Sequence, residues 1–71
     1  MSEPVTRHEC IDHLRRAALG IRAHIQNPKV ITMHTKADDG YLVDQERRAV
    51  VFDWLADFYQ AKEAEAKRAA E

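Results

Sequence analysis

The chain has 71 residues and a formal net charge of −1, which leaves room for one small domain, residues 1–71, and excludes a multi-domain enzyme. With 45% hydrophobic and 32% charged residues it reads as globular, and its one cysteine excludes an internal disulfide framework. A pI near 6.4 speaks against a general nucleic-acid binder, and with no leader-like or long apolar run a cytoplasmic location without membrane contact is expected.

The first element begins at Thr6. Thr6-Arg7-His8-Glu9 fits a capping box, in which the Thr6 hydroxyl accepts from the Glu9 N–H and the Glu9 carboxylate reaches back. Val5 and Cys10 stand at the offset of a hydrophobic staple. Ile11, Leu14, Ala18, Ile21 and Ile25 then recur in steps of three and four, an a/d seam on one face of a helix. Asn27-Pro28 ends it, because proline disfavours the helical region for the residue before it. The spacing predicts a helix over 7–26.

A connecting stretch of 18 residues, Asn27 to Asp44, is too long for an ordinary structureless helix–helix loop. Val30-Ile31-Thr32-Met33-His34-Thr35 is rich in β-branched residues, Tyr41-Leu42-Val43 is a second short candidate, and Ala37-Asp38-Asp39-Gly40 supplies turn chemistry. A β-hairpin or extended segment over about 29–43 is therefore expected, packed on the helices or on another chain.

The second long helix is predicted over about 45–68, with Asp44 as its N-cap. Its apolar residues, Val50, Val51, Phe52, Trp54, Leu55, Phe58 and Tyr59, cover about 200° of its circumference, against about 120° for the first helix. Asp53, Asp57 and Gln60 fall on the remaining face, which reads as solvated. Beyond Tyr59 the Ala/Glu/Lys tail is made of helix formers, with Glu63 and Lys67 as a favourable pair one turn apart.

The two arcs do not match, and the mismatch predicts a partner. All five aromatic residues lie between Tyr41 and Tyr59, so a monomer exposes a concentrated patch of the kind that marks an interface. A homodimer in a four-helix arrangement covers it, with Leu55, Phe58, Val51 and Ile21 as the dimer core. The expected fold class is thus mainly α: two long helices joined by a short hairpin, paired with a second copy. Ordering the chain costs about 105 kcal/mol, and burial returns roughly 100, so an isolated monomer sits near zero stability. Charge is divided as well: residues 1–36 carry six Lys/Arg and three Asp/Glu (+3), and residues 37–71 carry five and nine (−4). A basic first helix beside an acidic second one is the simplest account, setting register more than stability.

No constellation carries an enzyme's chemistry. His8-Glu9-Cys10-Ile11-Asp12-His13 lacks the spacing that stacks two imidazoles one turn apart, so neither a metal nor a cofactor is expected. Asp38-Asp39-Gly40 lacks the alternating ligands of a calcium loop and reads as a turn. Asp53 and Asp57 sit one turn apart without an implied pocket. The remaining reading is a small non-enzymatic protein that binds and modulates, by inhibition, another protein, in the manner of bacterial or phage accessory proteins. Trp54, Tyr59, Phe52, Arg15 and Arg22 are the candidate partner-binding residues, with Trp54 as anchor because tryptophan joins large area to a polar handle. The alternatives are a nucleic-acid-associated regulator using Arg15, Arg16 and Arg22 on the first helix, and a structural subunit of a larger assembly.

Overall fold

A computed structural model describes residues 4–70, which form three helices, α1 (Arg7–Ile25), α2 (Pro28–Ala37) and α3 (Tyr41–Ala70), with no strand among the described residues. Mainly α is therefore the fold class. Of the capping box expected at the start of α1, the hydroxyl half is formed, while no return bond from the Glu9 carboxylate is present among the described residues. Thr6 is extended at φ −86° and ψ 161°, and its hydroxyl accepts from the Glu9 N–H at 3.1 Å. Glu9 in the first turn and Arg22 and His24 in the last complement the helix dipole. Val5 is exposed, so the entry to α1 rests on the hydroxyl cap and not on a staple with Cys10.

The expected hairpin or extended segment over 29–43 is replaced by a helix and a tight corner. Proline at Pro28 does end α1, but it also starts α2, since its fixed φ suits the first helical position and its missing N–H is unpaired there anyway. Asn27, at φ −66° and ψ 124°, caps α2 by accepting from the Lys29 N–H at 3.0 Å. At the other end Asp38 takes the left-handed conformation (φ 50°, ψ 46°), and its N–H donates to the His34 carbonyl at 3.0 Å. Each β-branched residue in α2 costs a few tenths of a kcal/mol, and one good cap returns about 1 kcal/mol. Val30 and His34, one turn apart, are its half-buried positions, so a helical period is present once histidine is counted as a packing residue.

The corner continues into α3, which begins at Tyr41 and not near residue 45. The Asp39 carboxylate accepts from the Tyr41 N–H at 3.0 Å, and the Gly40 carbonyl accepts from the Asp44 N–H at 3.0 Å. Gly40 has φ +72°, a conformation that glycine adopts without strain. Asp44 is no cap; it lies in the first turn, where its charge meets the positive end of the helix.

Helix α1 runs antiparallel along α3, as the pairs Arg15–Asp57 and Arg22–Asp53 require. The face of α3 it takes is not the aromatic one. Ala18, Ala49 and Ala56 are fully buried at the contact, and no larger side chain is fully buried among the described residues. Phe52 and Asp53 are half-buried beside them, as are Ile11, Leu14, Ile21 and Ile25 from α1. The face expected to be solvated, with Asp53, Asp57 and Gln60, is thus the face toward α1. Two physical reasons converge. Alanines let helix axes approach toward the close end of the usual 8–10 Å range. The arginines that edge the α1 seam also find hydrogen-bonding carboxylates there.

The result is a thin slab, 55 × 29 × 16 Å, little deeper than one helix with its side chains. Its radius of gyration is 16.4 Å, where a compact chain of this length has about 11 Å. Its accessible surface is 5951 Å², against about 4,500 Å² for a compact monomer of this mass.

Candidate functional site

With α1 seated on the alanine face, the apolar arc of α3 points away from it. Val43, Val50, Val51, Trp54 and Phe58 are between 46% and 65% exposed. Positions 43, 47, 50, 54 and 58 follow in steps of three and four, so these side chains form one strip about 22 Å long on a single helix face. The Trp54 and Phe58 rings stack with centroids 6.2 Å apart and planes 18° apart. Tyr59 meets Phe58 edge-on at 5.8 Å, and the Lys62 ammonium sits 5.6 Å above the Phe58 ring. Toward the N-terminal end, Arg47 lines a shallow hollow with Val43, Glu46, Val50 and Val51.

The candidates from the sequence divide among three places. Trp54, Phe58 and Val51 share the strip; Tyr59 and Leu55 border it, Leu55 half-buried. Phe52 and Ile21 are half-buried in the seam between α1 and α3. Arg15 and Arg22 enter an intrachain ladder. Arg15 donates to Asp57 at 2.9 Å and to the Gln60 side-chain oxygen at 2.7 Å, and Arg22 donates to Asp53 at 2.6 Å. Asp53 also lies 4.0 Å from Arg15, so it answers both arginines. This ladder sets the register of the two helices. A basic first helix lying beside an acidic partner helix is thus realised within one chain.

A second cluster has no counterpart in the sequence reading. The His34 ring stacks on Tyr41 with centroids 3.9 Å apart and planes 20° apart, and its Nδ1–H donates to Asp39 at 2.8 Å. His24 Nε2 and the Tyr41 hydroxyl are hydrogen-bonded at 3.0 Å. One residue from each helix therefore meets at the corner, and Asp39 closes it. The hydrogen bond from His34, assisted by the Tyr41 N–H, holds the Asp39 carboxyl below the usual carboxylate value. The signal that could have found this cluster is the Asx pattern Asp39-Gly40-Tyr41 with a histidine five residues before the aspartate.

Elsewhere the surface is open. A cleft between the first half of α1 and the last third of α3 is lined by His8, Ile11, Arg15, Gln60, Glu63 and Lys67, a mixture of both charges. Among the described residues, no three His, Cys, Asp or Glu side chains converge as a metal site would require. No described helix is long and apolar enough to cross a membrane. Compared with protein-family models, curated proteins and solved structures, the chain matches none.

Proposed function

We propose that this chain is a non-enzymatic interaction protein that self-associates through α3 and, as a homodimer, binds and inhibits another protein. The observation that carries the reading is the contrast between core and surface. Three alanines make the fully buried core, while the large apolar side chains of α3 stand in solvent along one face. A surface about 1,400 Å² larger than that of a compact monomer exceeds the roughly 800 Å² per partner of a standard interface. The elongated chain therefore exposes enough surface for a second copy to cover.

Self-association leaves other apolar side chains for a target. Leu19 on α1 is 65% exposed, and Met33 on α2 is 63% exposed beside a shallow hollow formed with Pro28, Lys29 and Thr32. Flexible, polarizable methionine suits an adaptable protein contact. The nucleic-acid reading is the weaker one. Arg15 and Arg22 spend their charge on Asp53 and Asp57, and Arg16 pairs with Asp12 at 3.2 Å, so the basic face of α1 is largely neutralised within the chain.

Two measurements test the reading. Light scattering after size exclusion at micromolar protein is expected to give twice 8.2 kDa. Tagged protein in a lysate of its source is expected to retain a stoichiometric protein partner after nuclease treatment. A retained partner that nuclease removes, with binding that falls steeply as salt rises, would instead establish the nucleic-acid role.

A further inference from the structure

The α3 face that carries the exposed strip continues past Phe58, and three charged positions lie in line with its apolar ones: Arg47 within the strip, and Glu65 and Arg68 beyond it. At about 100° per residue Arg47 and Glu65 fall on the azimuth of Trp54 and Phe58. Arg47 has no ion pair among those of the described residues, and Glu65 has only an exposed contact at 3.5 Å to Lys62 on its own helix. The two stand equally far, nine positions, from residue 56. Trp54 and Phe58 are each two positions from it, Val51 and Ala61 five, and Val50 and Lys62 six, the last pair setting a valine against a lysine stem.

We infer that this face of α3, positions 43–69, seats the same face of a second copy, antiparallel, about a two-fold axis at the level of residue 56, so that the two apolar strips overlap at Trp54 and Phe58. This inference rests on the reading of α3 as a self-association surface and adds its direction and register. In this arrangement Trp54 of each chain meets Phe58 of the other, Val51 meets Ala61, and Arg47 meets Glu65 at both ends. An isologous interface repeats each pair, so one self-complementary sequence pattern supplies two salt bridges around a central aromatic cluster. A parallel arrangement sets Arg47 against Arg47 and Glu65 against Glu65, like charges at both ends. Small residues recur where large ones must be received: Ala61 faces Val51, and Ala69 faces Val43. Because α1 occupies the far side of α3, the dimer is a row of four helices, with the two α3 helices at its centre and one α1 on each flank.

Charge reversal tests the register on the full chain. Arg47→Glu and Glu65→Arg, both at positions exposed in the single chain, are each expected to weaken self-association about five- to thirtyfold in sedimentation equilibrium, since the two-fold axis counts each change twice. The double variant R47E/E65R restores the pairs in reverse and is expected to recover affinity to within about threefold of the wild type. Cross-linking gives an independent readout in a Cys10→Ala background. A mixture of V51C and A61C chains is expected to form a disulfide-linked heterodimer under mild oxidation, while V51C alone is not, its two copies lying about 15 Å apart along the helices. A double variant no tighter than the singles, or V51C chains that link to each other and not to A61C, overturns the register while self-association stands. A wild-type chain that stays at 8.2 kDa at every concentration overturns both the register and the self-association reading.

Discussion

Ala56→Leu puts the helix-facing assignment at risk. Ala56 is fully buried in the contact between α1 and α3, together with Ala18 and Ala49. Leucine adds three carbons where the backbones already approach closely, and overpacking a seam of this kind costs about 1–3 kcal/mol. Widening the seam by even 1 Å also stretches the 2.6 Å bond between Arg22 and Asp53 and the 2.9 Å bond between Arg15 and Asp57 toward the limit of hydrogen bonding. Weakening this ladder adds up to about 1 kcal/mol. A total of roughly 1–4 kcal/mol is large against the 4–10 kcal/mol typical of folded chains of this length. Urea denaturation followed by circular dichroism, at one fixed protein concentration, reads the change. Ala66→Leu, at an exposed position of the same helix, serves as the control and is expected to stay within about 0.5 kcal/mol of the wild type. An Ala56→Leu protein as stable as the wild type would refute the reasoning, since α1 would then have to rest on the aromatic face of α3.

Three further predictions address the ladder and the corner. A double-mutant cycle on Arg22→Ala and Asp53→Ala is expected to give a coupling of about 0.5–1 kcal/mol that shrinks with added salt, because both side chains are about one-third exposed; zero coupling at low salt would remove the ladder from the account. Gly40→Ala is expected to cost about 1 kcal/mol from backbone strain alone, since nothing lies within 4 Å of the added methyl group; the same denaturation assay checks it. His34→Gln is expected to return the Asp39 carboxyl toward its ordinary pKa in a carbon-detected NMR titration. A depressed folded-state pKa means that Asp39 contributes stability above the ordinary carboxylate range and loses it as pH falls through its lowered value, so the variant should lose this acid-dependent part.

The three helices were unequally legible. Capping residues and apolar spacing describe α1 well, from Thr6 to the stop at Asn27, because one local pattern and one tertiary role coincide there. In α2 the β-branched run Val30-Ile31-Thr32 argued for a strand, but Asn27 at the cap, Pro28 at the first position and left-handed Asp38 at the end decide for helix. Propensity lost to caps. The harder lesson is α3. Its aromatic arc was legible as a surplus, yet a count of hydrophobic residues gives alanine little weight and aspartate none. The seam with α1 is built on Ala49 and Ala56 and tied by Asp53 and Asp57, so the surplus is larger than the mismatch of arcs suggested. The cluster of His24, His34, Asp39 and Tyr41 stayed hidden because it exists only once the chain has turned its corner.

Trp54 offers the most direct test of the central claim that the apolar strip of α3 is free in one chain and covered by a second. It is the only tryptophan in the protein, it stands 65% exposed, and it lies within the strip, where it stacks on Phe58. Its fluorescence, recorded together with molecular mass by sedimentation across a dilution from micromolar to nanomolar protein, reports the cover without any substitution. The account predicts a blue-shifted emission at the dimer mass that moves to the red as the mass halves, both following one dissociation curve. Emission that stays red while the mass doubles would place the interface elsewhere and contradict the claim.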